Sequence, residues 1–175
     1  MTTQKGCVHI YCGDGKGKTS AGMGLCIRAA GRGKRVLIYQ FLKDNSTGEI
    51  RSLAQLPNIT RLNGPDSVKF SFQMTPEERE ETVQCYHALL QDIFARSADY
   101  DLLFLDESVY AISSGLIAEE ELVACLANRP PHLEVILTGQ HPSDTLMDCA
   151  DYVSHICKVK HPFDHGQPSR EGIEF

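Results

Sequence analysis

Residues 12–19 read CGDGKGKT, and residues 102–107 read LLFLDE. Both stretches carry groups suited to a phosphorylated ligand. In the first, glycines let successive backbone N–H groups curl around an anion, the helix that follows adds its positive N-terminal end, and Lys18 supplies a point charge. The cradle consists of Gly13, Asp14, Gly15, Lys16, Gly17, Lys18, Thr19 and Ser20, with the Thr19 hydroxyl offered to a magnesium ion. The spacing is that of a Walker A motif, G-x-x-x-x-G-K-[ST], except that Cys12 stands where the first glycine belongs. The second stretch is an apolar strand ending in acids, as in a Walker B element. Asp106 and Glu107 are expected to reach magnesium directly or through water, because that ion takes oxygen ligands and keeps several waters.

These residues leave the reaction open. A hydrolase needs a group that orients water, a role Glu107 could fill, and a kinase needs a base beside an acceptor hydroxyl. No serine or cysteine nucleophile motif is present. His161 and His165 have helical spacing but straddle Pro162, so they are expected in a loop and not as a metal pair. On residue types alone the chain is a magnesium-nucleotide-binding domain. An ATPase or kinase cleaving the terminal phosphate, or a binding module without catalysis, would satisfy the same pattern.

The elements that must position these groups follow from the hydropathy pattern. Strands are expected at Val8 to Cys12, Arg35 to Phe41, Ile59 to Leu62, Asp101 to Leu105, Leu133 to Leu137 and Tyr152 to Ile156, alternating with helical patterns. That rhythm predicts an α/β fold with a mostly parallel sheet and helices on both faces, and several strands are near-continuous apolar runs, as such burial requires. Ligands bind at the C-terminal rim of such sheets. The clearest helix starts at Thr75, with Pro76 in its first turn and Glu78 completing a capping box. Val83, Tyr86, Leu90, Ile93 and Phe94 give it an apolar stripe toward the sheet, leaving its glutamates in water. Residues 63–74 and 158–175 have weak periodicity and are expected as loops at the rim.

Composition narrows the class. The 175 residues are 42% hydrophobic and 23% charged, which suits one globular domain spanning 1–175. No apolar run approaches the ~18 residues of a membrane span, and no secretory or transit signal opens the chain, so a cytoplasmic protein is expected. A formal charge of -6 argues against nucleic acid as a partner, since duplex affinity comes largely from phosphate neutralisation. The seven cysteines are scattered and nowhere spaced C-x-x-C, so they are expected to be reduced, mostly buried small hydrophobes.

The stretches GDGKGKTSAGMGLCIRAAGRGK, YQFLK, LDE, LTG and VKHPFDHGQPSREGIEF together resemble the ATP:corrinoid adenosyltransferases of the P-loop type, from about Val8 to Phe175. The resemblance implies a P-loop NTPase-like fold and two substrates, ATP bound with Mg2+ and a corrinoid reduced to Co(I). The cobalt attacks the 5′ carbon of ATP and expels triphosphate, with the nucleotide held in the reverse of the usual direction. By position, residues Gly13 to Ser20 hold the triphosphate, Lys18 neutralises it, and Thr19 with Glu107 holds the metal beside Asp106. Arg28 matches a further nucleotide contact, and Phe70 and Phe72 match aromatics that press on the lower face of the corrin. Read without the resemblance, Phe70 and Phe72 are alternate residues of a short strand burying one face in the core. Some members have Trp where Phe72 stands and Arg where Gln140 stands. An electron donor such as a flavoprotein and a homodimer are implied as partners. With so few residues before the first strand, a cover over the corrin is expected to come from a neighbouring subunit or to be absent.

Overall fold

Alternating side chains in the apolar runs build two cores, one on each face of a single sheet. The computed structural model describes residues 5–65, 69 and 71–174. Its strands are β1 Val8–Cys12, β2 Val36–Gln40, β3 Ile59–Arg61, β4 Leu102–Asp106, β5 Glu134–Thr138 and β6 Tyr152–His155. They lie in the order β3-β2-β4-β5-β1-β6, and every pairing is parallel. The helices are α1 Lys18–Ala30, α2 Glu49–Leu53, α3 Pro76–Arg96, α4 Ser108–Ser113, α5 Glu119–Ala127 and α6 Asp144–Asp148.

Ile10, Leu37, Leu103, Leu105, Val135 and Leu137 face one way and pack with α3, α4 and α5. Their neighbours in sequence, Val36, Ile38, Leu102, Phe104 and Ile136, face the other way onto Met23, Cys26, Ala29 and Ala30 of α1 and Leu53 of α2. Each fully buried aliphatic side chain contributes about 1.5–3 kcal/mol from its removal from water. The expected α/β layering is therefore present, with strand boundaries displaced by a residue or so. Among the described residues no helix is long and apolar enough to cross a membrane.

At the start of α3 the Thr75 hydroxyl accepts from the Glu78 N–H at 3.2 Å, and the Glu78 carboxylate accepts from the Thr75 N–H at 3.0 Å. The capping box is formed as expected. Tyr86, Leu90 and Ile93 are buried, with Val83 and Phe94 half-buried beside them.

Two expectations fail. Of the seven cysteines only Cys12 and Cys26 are buried, while Cys85 and Cys157 are exposed. Cys85 lies on the outer face of α3 and Cys157 follows the edge strand β6, so neither meets a core. Second, the segment around Phe72 is not a strand. Ser71–Gln73 is a 3-10 turn and Phe72 is 77% exposed, while Phe70 lies outside the described residues.

Candidate active site

The strand order brings the two phosphate-site motifs to one rim without making them neighbours. β5 separates β1, which carries the glycine loop, from β4, which carries the acids. Thr19, at the start of α1, spans that gap by donating to Asp106 Oδ1 at 2.9 Å, and Thr138, at the end of β5, braces the acids from between. The Thr138 hydroxyl donates to Asp106 Oδ1 at 2.6 Å and accepts from the Glu107 N–H at 2.8 Å.

After β1 the chain turns at Gly13, φ 105°, where a Cβ would strike the His155 ring of the neighbouring strand at 2.3 Å. The loop is tied at its base by Gly13 N–H to Gln140 O at 2.9 Å and Gly15 N–H to Ile156 O at 2.8 Å. Gly17, φ 116°, opens α1 with no side-chain cap and no acid in the first turn. The first-turn N–H groups are thus left to an anion, with the helix dipole behind them. Lys18 folds back over the loop, its Nζ donating to Gly15 O at 2.9 Å.

Asp106 is the hub. It is fully buried, and its oxygens accept from Thr19 Oγ1 at 2.9 Å, Thr138 Oγ1 at 2.6 Å, Gln40 Nε2 at 3.1 Å and Lys43 Nζ at 2.7 Å. Glu107, in the left-handed conformation with φ 58°, turns out of the strand beside it. Burial pushes the Glu107 carboxyl above the usual range, and the neighbouring Asp106 adds to that, with Lys43 and Lys18 opposing. Both acids thus stand within a cluster whose cations are Lys18 and Lys43.

A magnesium ion would be held here by oxygen. Among the described residues no three acidic, histidine or cysteine side chains form a metal cage. A nucleotide-bound magnesium does not need one, because it takes one or two carboxylates or a hydroxyl, with phosphate oxygens and waters completing its shell. Thr19, Asp106 and Glu107 supply that set and fit the ion.

Two cavities flank this hub. The larger, about 950 Å3, is lined by Thr19, Ser20, Met23, Lys43, Glu49 and Ile173, among others. The smaller, about 310 Å3, is lined by Lys18, Leu42, Lys43, Lys69, Ser71, Glu107, Tyr110 and Gln140. Of its three lysines, Lys43 is paired with Asp106 and Lys69 with Glu78, Glu107 shares the lining with Lys18, and Phe72 adjoins Ser71 at the edge.

The remaining expected residues divide. Asp14 faces the chain after β6, where its carboxylate accepts from the Lys158 N–H at 2.9 Å, and that bond holds the carboxyl below its usual range. Arg28 is not brought to the loop. It is exposed in the last turn of α1, about 15 Å along the axis from Lys18 at the rise of an α-helix. His165 ends the 3-10 turn Pro162–His165 and His161, just before it, caps it through Nδ1, consistent with loop residues.

Sequence reasoning assigned no role to Lys43, Gln40 or Thr138. The signal for Gln40 was a polar residue at the end of an otherwise apolar strand, VLIYQ, where burial demands a partner. Lys43 carried no such signal from burial, although it closes the YQFLK stretch. It reaches Asp106 because Leu42 takes φ 56°, a turn fixed by its N–H donating to the buried Tyr86 hydroxyl at 3.0 Å.

The C-terminal strap closes one wall of the larger cavity. Glu174 pairs with Lys16 of the glycine loop at 2.9 Å and with Arg170 at 3.0 Å. Arg170 and then Lys16 hold the Glu174 carboxyl well below 4.5, at about 2. A carboxyl lowered by these contacts, the larger of them within the strap itself, stabilises the folded strap above its free value and releases that stability as pH falls through its folded value. Hydrogen exchange of residues 170–174, corrected for intrinsic rates, should stay protected from neutrality to 4.5 and lose protection only toward about 2. Loss of protection already at 4.5 would show that the strap is not held by this carboxylate.

The sequence matches the family model of the ATP:corrinoid adenosyltransferase BtuR/CobO/CobP over residues 4–175. This chain belongs to the ATP:corrinoid adenosyltransferase family. The corrinoid adenosyltransferase CobA of Salmonella typhimurium is 32% identical over 179 residues, 98% of this chain and 87% of that protein. A corrinoid adenosyltransferase of Pseudomonas aeruginosa is 29% identical over 175 residues, 98% and 85% of the two chains. The adenosyltransferase-family fold also resembles a solved one, a KaiC-like protein of Pyrococcus horikoshii, with TM-score 0.56 and 16% identity over 90% of this chain and 75% of that one. That likeness concerns the fold, a P-loop NTPase-like α/β sheet.

Proposed function

We propose that this chain acts as a single domain that transfers the 5′-deoxyadenosyl group of ATP to the Co(I) centre of a corrinoid and releases triphosphate. The observation that carries this reading is a family match covering nearly the whole chain, 4–175, and so including the glycine loop, the acids and the C-terminal strap. In the reaction the cobalt lone pair forms the Co–C bond while the C5′–O bond breaks, its electron pair leaving on the triphosphate. No proton moves between reacting atoms. The protein's contribution reduces to alignment and to stabilising charge on the leaving group.

Residues Gly13 to Ser20 hold the triphosphate, and Lys18 neutralises its growing charge. Thr19 and Glu107 would hold the magnesium, with Asp106 beside them, and the ion when bound would spread the charge of the departing triphosphate. Phe72, exposed on its turn, together with Phe70 is assigned to the lower face of the corrin. Rings that displace the lower axial ligand leave cobalt four-coordinate and make Co(II) easier to reduce, because loss of a donor lowers the orbital that accepts the electron. An electron donor such as a flavoprotein, a homodimer and a cytoplasmic location complete the reading. Arg28 is assigned a nucleotide contact by resemblance alone, since within its own chain it is exposed and distant from the loop.

Incubation with Mg-ATP and prereduced cobalamin tests the reading. Triphosphate and a light-sensitive cobalt–carbon bond are expected; ADP as the product would make the protein an ordinary ATPase or kinase. Phe72→Ala should lose more activity starting from Co(II) with a reductant than from prereduced Co(I), and equal losses would remove the ligand-displacing role.

A further inference from the structure

Every lone pair of Asp106 is already taken, so a metal reaching it must displace one of its partners. A carboxylate offers about four acceptor sites, and Thr19 and Thr138 occupy Oδ1 while Gln40 and Lys43 occupy Oδ2. Of these four donors Lys43 alone is charged. Its side chain is also still partly open to solvent, at 23%. Its Nζ lies 2.7 Å from Asp106 Oδ2 and 3.4 Å from Thr19 Oγ1, so both groups it touches are ones assigned to the metal. A divalent ion drawn to those two groups would meet an ammonium already in contact with both, and like charges that close repel. The approach is built into the backbone, because the left-handed turn at Leu42, pinned by Tyr86, directs Lys43 inward.

We infer that Lys43 is a positioning residue that holds the place of magnesium in the nucleotide-free protein and is displaced from Asp106 when the metal arrives. A fully buried carboxylate without a counter-charge is strongly destabilising, so one cation must stand in until another replaces it. Once displaced, the ammonium remains between the two cavities it lines, within reach of an incoming phosphate. The inference rests on the proposed assignment of Thr19, Asp106 and Glu107 to magnesium. It adds an exchange that the assignment alone does not require.

The test uses Mn2+ as the probe, read by electron paramagnetic resonance without nucleotide, and compares the protein with Lys43→Met. With its competitor removed, the variant should bind Mn2+ about tenfold more tightly, the scale of one charged hydrogen bond. Its thermal midpoint should fall below that of the parent in metal-free buffer, with the gap narrowing when Mn2+ is added. A second measurement needs no variant: acetylation of Lys43 in the parent protein, relative to the exposed Lys34, should rise severalfold when Mn2+ is added. Equal or weaker Mn2+ binding by a folded Lys43→Met protein, or Lys43 acetylation indifferent to saturating Mn2+, overturns the exchange and leaves the metal assignment standing. If neither protein binds Mn2+, with or without inorganic triphosphate, exchange and assignment fall together.

Discussion

Lys18→Ala should lower adenosyl transfer by about a thousandfold, near the upper end of what removing one electrostatic contact to a developing charge has cost in other enzymes. Lys18 belongs to both the loop and the smaller cavity, folding over Gly15 at 2.9 Å and lining the space shared with Lys43, Lys69 and Glu107. The leaving triphosphate gains negative charge as the C5′–O bond breaks, so a missing ammonium is felt more in the transition state than in the bound nucleotide. Triphosphate release from prereduced cobalamin should therefore collapse while the binding constant for Mg-ATP worsens by far less. Turnover close to that of the parent would remove the loop from the reaction.

Asp106→Asn should act through the fold as well as the chemistry. The carboxylate accepts four hydrogen bonds, whereas an amide accepts on one side only and presents its own N–H groups on the other. Either Thr19 and Thr138 or Gln40 and Lys43 would face donors. The ammonium of Lys43 would lose its counter-charge at a site where Asp106 itself is fully buried. Breaking a fully buried pair from one side costs about 3–5 kcal/mol, and the cost here falls below that because the Lys43 left behind is still partly open to water. The urea midpoint should fall accordingly, and transfer should drop even where the variant remains folded. A midpoint unchanged from the parent would mean that the four bonds are not the support described.

Much of this site was legible in the sequence because its residues sit in short contiguous motifs. Gly13 to Ser20 and Asp106 to Glu107 each follow an apolar run, and a strand ending in a turn places its next residues at the rim. The capping box at Thr75 was legible for the same reason, since its partners are three residues apart. What the sequence hid depends on strand order. Thr138 matters because β5 lies between β1 and β4, a fact of long-range pairing that no local pattern encodes. Lys43 matters because of one left-handed residue, Leu42, whose type gives no hint of that conformation. Phe72 was assigned by resemblance to the corrin, while alternation alone pointed to a buried strand. Its exposure on a 3-10 turn removes the strand and leaves the ring accessible.

Tyr86 ties the chemistry to the interior more closely than a phosphate loop on a scaffold would suggest. Its ring packs edge-on against Phe41 at 5.0 Å, and Phe41 against Tyr39 at 4.8 Å, while its hydroxyl alone meets the Leu42 amide. One side chain thus serves as a brick in the hydrophobic wall and as the peg that sets the aim of an ammonium group. Redesign of this interior for heat resistance cannot treat that ring as filler: a phenylalanine there would preserve the masonry and lose the aim.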